Sequence, residues 1–229
     1  MSKTKSSFKN YKILIYGLGK SGKSCFDYLK KNNFVKVYDD NKKNLNKKKI
    51  KKDLIDRKQI NKLNFDFIVV SPGINIRKCG LKNILTINKK KLITDLDIFY
   101  LDNPEIFNIA ITGTNGKSTT AKLLYDIIKK SKKDVRLVGN IGNPILAEKK
   151  IKHDTIVVTE VSSFQIDYSK FFRSDFSAIL NVFPDHLERH GNFKNYLNIK
   201  FKIFKKQKKN GVCFFENGNK IIDNLIKSN

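Results

Sequence analysis

Seven apolar runs rich in β-branched residues recur along this chain, and glycine or a polar side chain follows each run at its carboxyl end. The runs cover residues 12–16, 34–38, 65–70, 108–112, 135–138, 155–159 and 178–182. Amphipathic stretches separate them, which is typical of α/β proteins with parallel strands. Open parallel sheets bind ligands in the crevice outside the carboxyl ends of their strands. The residues that follow the runs are therefore the candidate ligand sites.

The turn residues Asp102-Asn103-Pro104 divide the runs into two cycles of strands and helices. We therefore predict two α/β domains, at residues 1–101 and 102–229. In the first cycle we expect a helix at 23–31 and a polar segment of weak helical periodicity at 41–62. In the second cycle we expect a helix at 119–130, with Leu123, Leu124, Ile127 and Ile128 on one face. The last residues, 211–229, are typical of one more strand and the start of a helix.

The strongest single motif is GTNGKST at residues 113–119, between a predicted strand and a predicted helix. A glycine-rich turn in that setting directs backbone N–H groups toward phosphate, at the positive end of the helix dipole. Lys117 can then reach the terminal phosphates, and the Ser118 hydroxyl can bind Mg²⁺. Ile111 stands where the usual P-loop has another glycine, so the alternative is a surface turn that happens to contain GKS. The strand before it and the helix after it favour phosphate binding.

Polar residues end two further runs of the second cycle. Glu160 follows the run TIVVT, where a carboxylate could hold Mg²⁺ opposite the glycine-rich loop. Asp185 and His186 follow the run at 178–182 and are candidate site residues. The alternative for each is a solvated residue at a strand end.

The first cycle carries GLGKSG at 17–22 directly after a strand, with Asp39 and Asp40 at the end of the next strand. This spacing matches a dinucleotide-binding fingerprint and by itself indicates NAD. It fits equally well any nucleotide diphosphate that lies on the N-terminus of the first helix. The motif is too short to decide between them.

The net charge of +26 suggests nucleic acid as a partner, but the type of basic residue does not support it. Of the 47 basic residues only five are the arginines that bidentate phosphate and guanine contacts favour: Arg57, Arg77, Arg136, Arg173 and Arg189. The lysines are spread along the whole chain. We predict a solvated lysine-rich surface with incidental affinity for polyanions at low salt and no specific nucleic-acid site. A basic nucleic-acid-binding protein is the remaining alternative.

Membrane insertion and secretion are not expected from this sequence. No apolar run approaches the roughly 18 residues that span a bilayer, and the first twelve residues lack the features of a secretory signal. The cysteines are few and scattered, at Cys25, Cys79 and Cys213, so no disulfide framework or zinc site is indicated. We expect a cytoplasmic protein.

Four blocks of the second half resemble the central ATPase domain of Mur ligases in order and spacing: GTNGKSTT at 113–120, GNIGNP at 139–144, EVSSFQ at 160–165 and NVFPDHLERHG at 181–191. Ile111 is expected there, because that family has a variant P-loop. GLGKSGKS at 17–24, SPGI at 71–74 and TDLDIF at 94–99 are similar to the family members that add D-glutamate. The resemblance covers nearly the whole chain. It implies a Rossmann-like UDP-sugar-binding domain followed by a truncated P-loop ATPase-type parallel-sheet domain.

The resemblance also implies roles for individual residues. The ATP-binding loop would comprise Gly113, Thr114, Asn115, Gly116, Lys117, Ser118 and Thr119. Lys117, His186 and Lys200 would be catalytic, with Ser118 and Glu160 binding one Mg²⁺ and His186 a second. Lys200 matches a lysine that is carbamylated to help hold the second metal. The substrate-binding residues would be Lys20, Ser21, Asp39, Ser71, Pro72 and Gly73 around the uridine diphosphate, with Asn140 and Ser162 on the sugar nucleotide.

The activity that the resemblance implies is an ATP-dependent amide-bond-forming ligase of peptidoglycan precursor synthesis. It would add D-glutamate to UDP-N-acetylmuramoyl-L-alanine through an acyl phosphate. Asn41 stands where some relatives have an arginine near the uracil ring. Family members are about twice as long and carry a third domain that binds D-glutamate. The alternative is an incomplete fragment that binds only uridine nucleotide and ATP, or that needs a separately encoded C-terminal half.

Overall fold

The computed structural model of the chain describes residues 6–45 and 48–227, which fall into two units. Unit 1 runs to Pro104 and also includes two later segments, Pro144–Lys149 and Tyr168–Phe172. Unit 2 comprises Glu105–Asn143, Lys150–Asp167 and the chain from Arg173 onward. The chain therefore returns twice to unit 1 after it has left it.

Unit 1 is built on a parallel sheet of four strands. The strands are β1 (Lys12–Tyr16), β2 (Phe34–Tyr38), β3 (Phe67–Val70) and β4 (Leu92–Ile93), in the order β2-β1-β3-β4. The helices are α1 (Lys20–Leu29), α2 (Arg57–Lys62), α3 (Lys82–Ile87) and α4 (Asp95–Asp102). Ile13, Leu14, Ile15 and Tyr16 of β1 are all fully buried. Burial on both faces is the environment of a central strand in a covered parallel sheet, which explains a continuous apolar run rather than an alternating one.

A buried carboxylate joins α4 to the returning segment Tyr168–Phe172 of unit 1. Asp97 is fully buried, and its Oδ2 accepts hydrogen bonds from the backbone N–H and the hydroxyl of Thr94, at 2.9 and 3.1 Å. Its Oδ1 accepts four more, from the Ser169 hydroxyl and from the N–H groups of residues 170–172, at 2.7 to 2.9 Å. Full pairing is what allows a buried charge. Asp97 therefore forms a capping box at the start of α4 and also fixes the returning segment.

Unit 2 is built on a parallel sheet of five strands. The strands are β5 (Phe107–Thr112), β6 (Val135–Gly139), β7 (Ile156–Glu160), β8 (Ser174–Ile179) and β9 (Gln207–Phe215), in the order β6-β7-β5-β8-β9. The helices are α5 (Lys117–Lys130), α6 (Ser163–Tyr168), α7 (Leu187–His190), α8 (Phe193–Lys205) and α9 (Lys220–Lys227). The carboxyl ends of all five strands lie at one edge of this sheet, as the sequence predicts.

The predicted fold class is confirmed, since both sheets are parallel and alternate with helices. The predicted bounds of β1 and β2 agree with the structure at both ends. The polar segment 41–62 contains the 3₁₀ turns Lys42–Leu45 and Lys48–Asp53 and then α2; its residues 46 and 47 lie outside the described part. Within the described residues, no helix is long and apolar enough to span a membrane.

The predicted apolar face of α5 is only half right. Leu124 and Ile128 pack with the buried Ala121 against the sheet. Leu123 and Ile127 instead remain 59% and 56% exposed. One helical position differs from the next by 100°, so residues 123 and 127 lie on the flank of the helix rather than beneath it. The four apolar residues do not form a single buried stripe.

Strand β8 begins and ends earlier than the apolar run at 178–182 suggests. Two serines, Ser174 and Ser177, interrupt the apolar pattern in the first half of the strand. Both are nevertheless fully buried, and their hydroxyls bond to each other at 2.7 Å. After Ile179 the chain leaves the sheet, because Asn181 and Phe183 bond instead to Thr114 of the glycine-rich loop. The second half of the apolar run thus belongs to the site rather than to the sheet.

We expect Asp97→Asn to lower the free energy of unfolding by about 3 kcal/mol. An amide has one acceptor oxygen, so the substitution turns an N–H donor toward either Thr94 or the segment 169–172. Urea denaturation of the two proteins measures the difference. Asp126→Asn is the matched control, since Asp126 pairs with Lys122 on the surface of α5 and should change stability by about 0.5 kcal/mol at most. Equal, small effects of both substitutions would contradict the role given to Asp97.

Candidate functional site

The glycine-rich loop joins β5 to α5 at the carboxyl edge of the unit 2 sheet. Gly116 ends the loop with φ of +78°, a left-handed conformation that favours glycine, and α5 begins at the next residue. α5 has 14 residues, and its N-terminus presents N–H groups and a partial positive charge. The Lys117 ammonium folds back over the loop and donates to the carbonyl of Thr114 at 2.7 Å. The loop geometry is suited to an anion.

Asn181 fixes the loop from the end of β8. Its Oδ1 accepts hydrogen bonds from the N–H groups of Thr114 and Asn115, at 3.1 and 2.9 Å, and its amide donates to the carbonyl of Asn115 at 3.2 Å. The Thr114 hydroxyl also lies 3.2 Å from the hydroxyl of Tyr196 on α8. Asn181 opens the block 181–191 of the family resemblance, but the sequence alone indicates no role for it, because its partners Thr114 and Asn115 lie 67 and 66 positions away.

Glu160, at the end of β7, is the fully buried acid of the site. The Ser118 hydroxyl donates to its Oε2 at 2.8 Å, and the side-chain amide of Asn140 donates to its Oε1 at 2.8 Å. The Asn140 N–H also donates to the Glu160 carbonyl at 3.0 Å. Gly139 allows this approach, since a Cβ there would overlap the Glu160 carbonyl oxygen. Three predicted site residues from separate motifs therefore meet in direct contact.

Lys200 lies on α8 and is 2% exposed. Its ammonium donates to the Gly113 carbonyl at 2.7 Å and lies 4.8 Å from the centroid of the Tyr196 ring. Burial, and to a lesser extent the nearby charge of Lys117, lower the pKa of Lys200 to about 7. A large fraction of this side chain is therefore an uncharged amine at neutral pH, in contact with the glycine-rich loop.

His186 precedes α7, and its side chain is 46% exposed. The imidazole lies 3.4 Å from a carboxylate oxygen of Asp185, and its ring centroid is 4.9 Å from that of Phe164. His190, at the end of the same helix, is buried and shares a hydrogen bond of 3.0 Å with the Ser163 hydroxyl. Burial lowers the pKa of His190. The two histidines of α7 thus occupy different environments, one open to solvent and one closed.

In unit 1, the predicted substrate residues lie at the carboxyl ends of β1, β2 and β3. Asp39 is buried, and its carboxylate accepts from the N–H groups of Leu18 and Asn41, at 2.7 and 2.8 Å, and from the side chain of Asn44 at 2.9 Å. The carboxylate therefore fixes the backbone of the GLGKSG loop at Leu18. Asn41, which departs from the family pattern, contributes its N–H group to this arrangement.

Ser71 and Gly22 hold the same loop closed against α1. The Ser71 hydroxyl donates to the Gly17 carbonyl at 2.7 Å. A Cβ at Gly22 would overlap that carbonyl oxygen, so the third glycine of the motif permits the close helix–strand packing. Lys20 and Ser21 form the first turn of α1. The turn Ser71-Pro72-Gly73 follows β3, next to the loop.

The pair Ser118 and Glu160 fits a magnesium ion by its chemistry. A hydroxyl and a carboxylate are hard oxygen donors, and Mg²⁺ in nucleotide sites takes few protein ligands and keeps several waters. Among residues 6–45 and 48–227, no group of three or more His, Cys, Asp or Glu side chains could form a metal cage. The oxygen pair beside the loop is a candidate donor set for Mg²⁺.

The chain is thus a two-unit α/β protein in which a glycine-rich loop follows the first strand, β1 or β5, of each unit. The sequence profile described as the Mur ligase middle domain matches residues 111–229, and that of the Mur ligase MurD-like N-terminal domain matches residues 11–91. The chain belongs to the Mur ligase family. The resemblance seen in the sequence is thereby confirmed.

Curated relatives of the chain carry the name UDP-N-acetylmuramoylalanine–D-glutamate ligase. The protein from Elusimicrobium minutum is 40% identical over 232 residues, which cover 94% of this chain and 50% of the relative. The protein from Clostridioides difficile is 35% identical, over 95% of this chain and 50% of the relative. The chain spans about half the length of the curated relatives it matches.

Two solved structures share the fold. UDP-N-acetylmuramate:L-alanyl-γ-D-glutamyl-meso-diaminopimelate ligase from Neisseria meningitidis aligns with a TM-score of 0.57 at 12% identity, over 96% of this chain and 75% of that one. UDP-N-acetylmuramate–alanine ligase from Thermotoga maritima aligns with a TM-score of 0.54 at 18% identity, over 94% and 51%. At these identities the likeness concerns the fold alone.

We expect Lys200→Met to raise the free energy of unfolding near pH 6 by about 2 kcal/mol, because it removes a buried cation. Since the folded pKa of Lys200 lies below the usual 10.5, the unfolded chain binds more protons between pH 7 and 10.5. The wild type therefore gains stability as the pH rises through that range, and the advantage of Lys200→Met shrinks. Urea denaturation at pH 6 and 9 measures both values.

The control for this substitution is Lys202→Met on the same helix. Lys202 is 41% exposed and pairs with Asp167 at 3.1 Å, so it should change stability by about 0.5 kcal/mol or less at both pH values. If Lys200→Met destabilises the protein equally at pH 6 and 9, Lys200 is an ordinary packed cation and this account of it is wrong.

Proposed function

We propose that this chain carries the sugar-nucleotide-binding and ATP-binding parts of a ligase that joins D-glutamate to UDP-N-acetylmuramoyl-L-alanine. The observation that carries the proposal is the contact of Ser118 with the buried Glu160 beside a glycine-rich loop that Lys117 and Lys200 both touch. The name shared by relatives at 35–40% identity supports the choice of substrates. Such an enzyme acts in peptidoglycan synthesis, and its nucleotide substrates place it in the cytoplasm.

In this proposal residues 102–229 bind ATP. The N–H groups from Gly113 to Thr119 surround the phosphates, and the Lys117 ammonium leaves the Thr114 carbonyl to contact them. Asn181 keeps the loop in one conformation, so little ordering is required when the nucleotide binds. The loop thus supplies both charge and a fixed shape.

Magnesium is the proposed metal, held by Ser118 and Glu160 at one position and by His186 with carbamylated Lys200 at a second. Bound Mg²⁺ neutralises charge on the phosphoryl group during transfer. In the structure the Ser118 hydroxyl donates a hydrogen bond to Glu160. Both side chains would give up this hydrogen bond when the magnesium ion binds. Asn140 keeps the carboxylate oriented through the other oxygen.

The environment of Lys200 supports the carbamate. An uncharged amine can attack the carbon of CO₂ and lose a proton, which leaves an N-carboxylate anion on the side chain. Burial favours the uncharged amine, with the pKa at about 7. Lys117, close enough to lower that pKa, would attract the resulting anion. The positive charge of Lys117, which disfavours the ammonium, would therefore favour the carbamate.

Residues 1–101 bind the uridine diphosphate in this proposal, on the N-terminus of α1. Lys20, Ser21 and the turn Ser71-Pro72-Gly73 provide polar groups, while Asp39 acts by holding the loop through Leu18. Asn140 and Ser162 are proposed to contact the sugar-nucleotide substrate. The alanyl carboxylate attacks the terminal phosphorus of ATP and releases ADP. The amine of D-glutamate then attacks the acyl phosphate, and phosphate leaves as the amide forms.

We expect Lys117→Ala to weaken binding of ATP with Mg²⁺ by about 10-fold to 100-fold, because a charge-assisted contact to phosphate is lost. Binding of UDP-N-acetylmuramoyl-L-alanine should stay within about twofold, since its uridine diphosphate lies in unit 1. Isothermal titration calorimetry on the 229-residue chain measures both. Lys122→Ala, an exposed lysine of the same helix paired with Asp126, is the matched control and should bind both ligands normally. Wild-type ATP affinity in Lys117→Ala would refute the loop assignment.

The choice of substrate is tested separately, by titrating the chain with UDP-N-acetylmuramoyl-L-alanine and with UDP alone. Tighter binding of the full sugar nucleotide than of UDP supports the proposed substrate. Equal affinity for both nucleotides would mean that the chain does not recognise the alanyl sugar, which would contradict the proposed substrate.

A further inference from the structure

Helix α7 is too short to fix the position of His186 by itself. It has four residues. The N–H groups of Arg189 and His190 donate to the His186 carbonyl at 3.0 and 3.1 Å, and that of Gly191 donates to the Leu187 carbonyl at 2.7 Å. Isolated single turns are unstable in water, because nucleation costs more than one or two hydrogen bonds return. His186 moreover has φ of +51°, an uncommon value for a residue with a side chain. Contacts from outside the helix must hold it.

The ion pairs of His186 are too exposed to supply this constraint. Its partners Asp185 and Glu188, at 3.4 and 3.9 Å, have side chains that are 41% and 73% exposed. Both are near neighbours in the chain and move with the helix. Exposed pairs of this kind contribute little.

Phe164 of α6 provides the external surface. Its ring centroid lies 4.9 Å from that of His186 and 5.5 Å from that of His190, which is stacked on it at 30°. The guanidinium carbon of Arg189 lies 3.8 Å from the centroid of the same ring. One aromatic side chain thus contacts both ends of α7 and a residue between them. Aromatic pairs and cations over aromatic faces both stabilise contacts of this kind.

The start of α6 is itself rigidly held. Ser162 and Gln165 exchange hydrogen bonds in the manner of a capping box, with the Ser162 N–H donating to Gln165 Oε1 at 3.1 Å and the Gln165 N–H donating to Ser162 Oγ at 3.3 Å. The neighbouring Ser163 is buried and bonds to His190. The motif EVSSFQ therefore fixes the backbone from which the Phe164 ring projects.

We propose that Phe164 is a positioning residue that holds the His186 imidazole in its working orientation. The inference deepens the proposed function, in which His186 binds a metal ion, and for that role it rests on it. Ligand side chains lose metal affinity by 10-fold to 100-fold when the groups that orient them are removed. Phe164 would be such a group, acting by ring contact rather than by hydrogen bond.

The first test examines the imidazole without any metal. The chain has three histidines, so their ring resonances can be assigned in labelled protein from single His→Gln variants. In Phe164→Leu we expect the His186 resonance to shift and broaden, and in Phe164→Tyr to stay near its wild-type position. Phe204→Leu is the matched control, because Phe204 is a half-buried ring on α8 that packs against Phe201 and Phe215. An unchanged His186 resonance in a folded Phe164→Leu variant would overturn the proposal.

The second test measures the affinity of Mn²⁺ in the presence of ADP for four proteins: wild type, Phe164→Leu, His186→Ala and the double variant. We expect Phe164→Leu to weaken Mn²⁺ by about tenfold in the wild-type background and to have no further effect in the His186→Ala background. Equal losses in both backgrounds would mean that Phe164 acts on something other than His186, and would overturn the proposal.

The two tests also separate this inference from the proposed function. If His186→Ala leaves Mn²⁺ affinity unchanged, the metal role of His186 is wrong. The resonance shift in the metal-free chain still decides whether Phe164 positions the ring. If Phe164→Leu does not fold, Phe164→Met gives the same comparison with a flexible side chain of similar volume.

Discussion

The buried carboxylate of Glu160 is the interaction on which the arrangement of unit 2 depends. A charge that is fully removed from solvent must be paired, or it is strongly destabilising. Here the pairing groups come from the first turn of α5 and from the loop after β6. Satisfying one carboxylate therefore fixes the glycine-rich loop, the end of β7 and Asn140 relative to one another. Residues that lie 42 and 20 positions from Glu160 in the sequence, Ser118 and Asn140, thus join it in one site because the buried charge must be paired.

Lys200 is a second buried group beside the glycine-rich loop, and it is a base rather than an acid. Its contacts to Gly113 and the Tyr196 ring are modest for a cation with 2% exposure. The low pKa of Lys200 expresses this deficit. Groups with shifted pKa values concentrate at functional sites, where surrounding structure maintains what is locally unfavourable. This edge of the sheet is distinguished by two buried groups beside one loop. Glu160 is an acid that is fully paired, and Lys200 is a base that is less fully paired.

Local patterns in the sequence were sufficient for much of the fold. The bounds of β1 and β2, the parallel arrangement and the motif after each strand follow from apolar runs and glycine positions. Strand β8 was misplaced because its serines are buried and bonded to each other, which a hydropathy pattern does not reveal. The prediction of the apolar face of α5 was half wrong, because the pattern gives the period of a helix but not the width of its buried surface.

The contacts that the sequence did not predict are those between distant partners. Asn181 holds the glycine-rich loop across 66 positions, and Asp97, which lies outside that site, binds a segment about 75 positions away. Both residues lie in blocks that resemble the family, at 181–191 and 94–99, but their partners become evident only in the folded chain. Lys200 was indicated only by the family resemblance, and its surroundings supply the physical reason afterwards. The assignment of ligands to individual residues remains a proposal.

In the proposed function, Ser118 and Glu160 exchange their mutual hydrogen bond for a shared metal ion when nucleotide binds. Anomalous diffraction at the manganese edge, from crystals of the chain grown with ADP and Mn²⁺, tests this exchange. We predict an anomalous peak within bonding distance of Ser118 Oγ and beside Glu160, next to the β-phosphate. ADP bound with the Ser118–Glu160 hydrogen bond intact, and manganese located elsewhere, would contradict it.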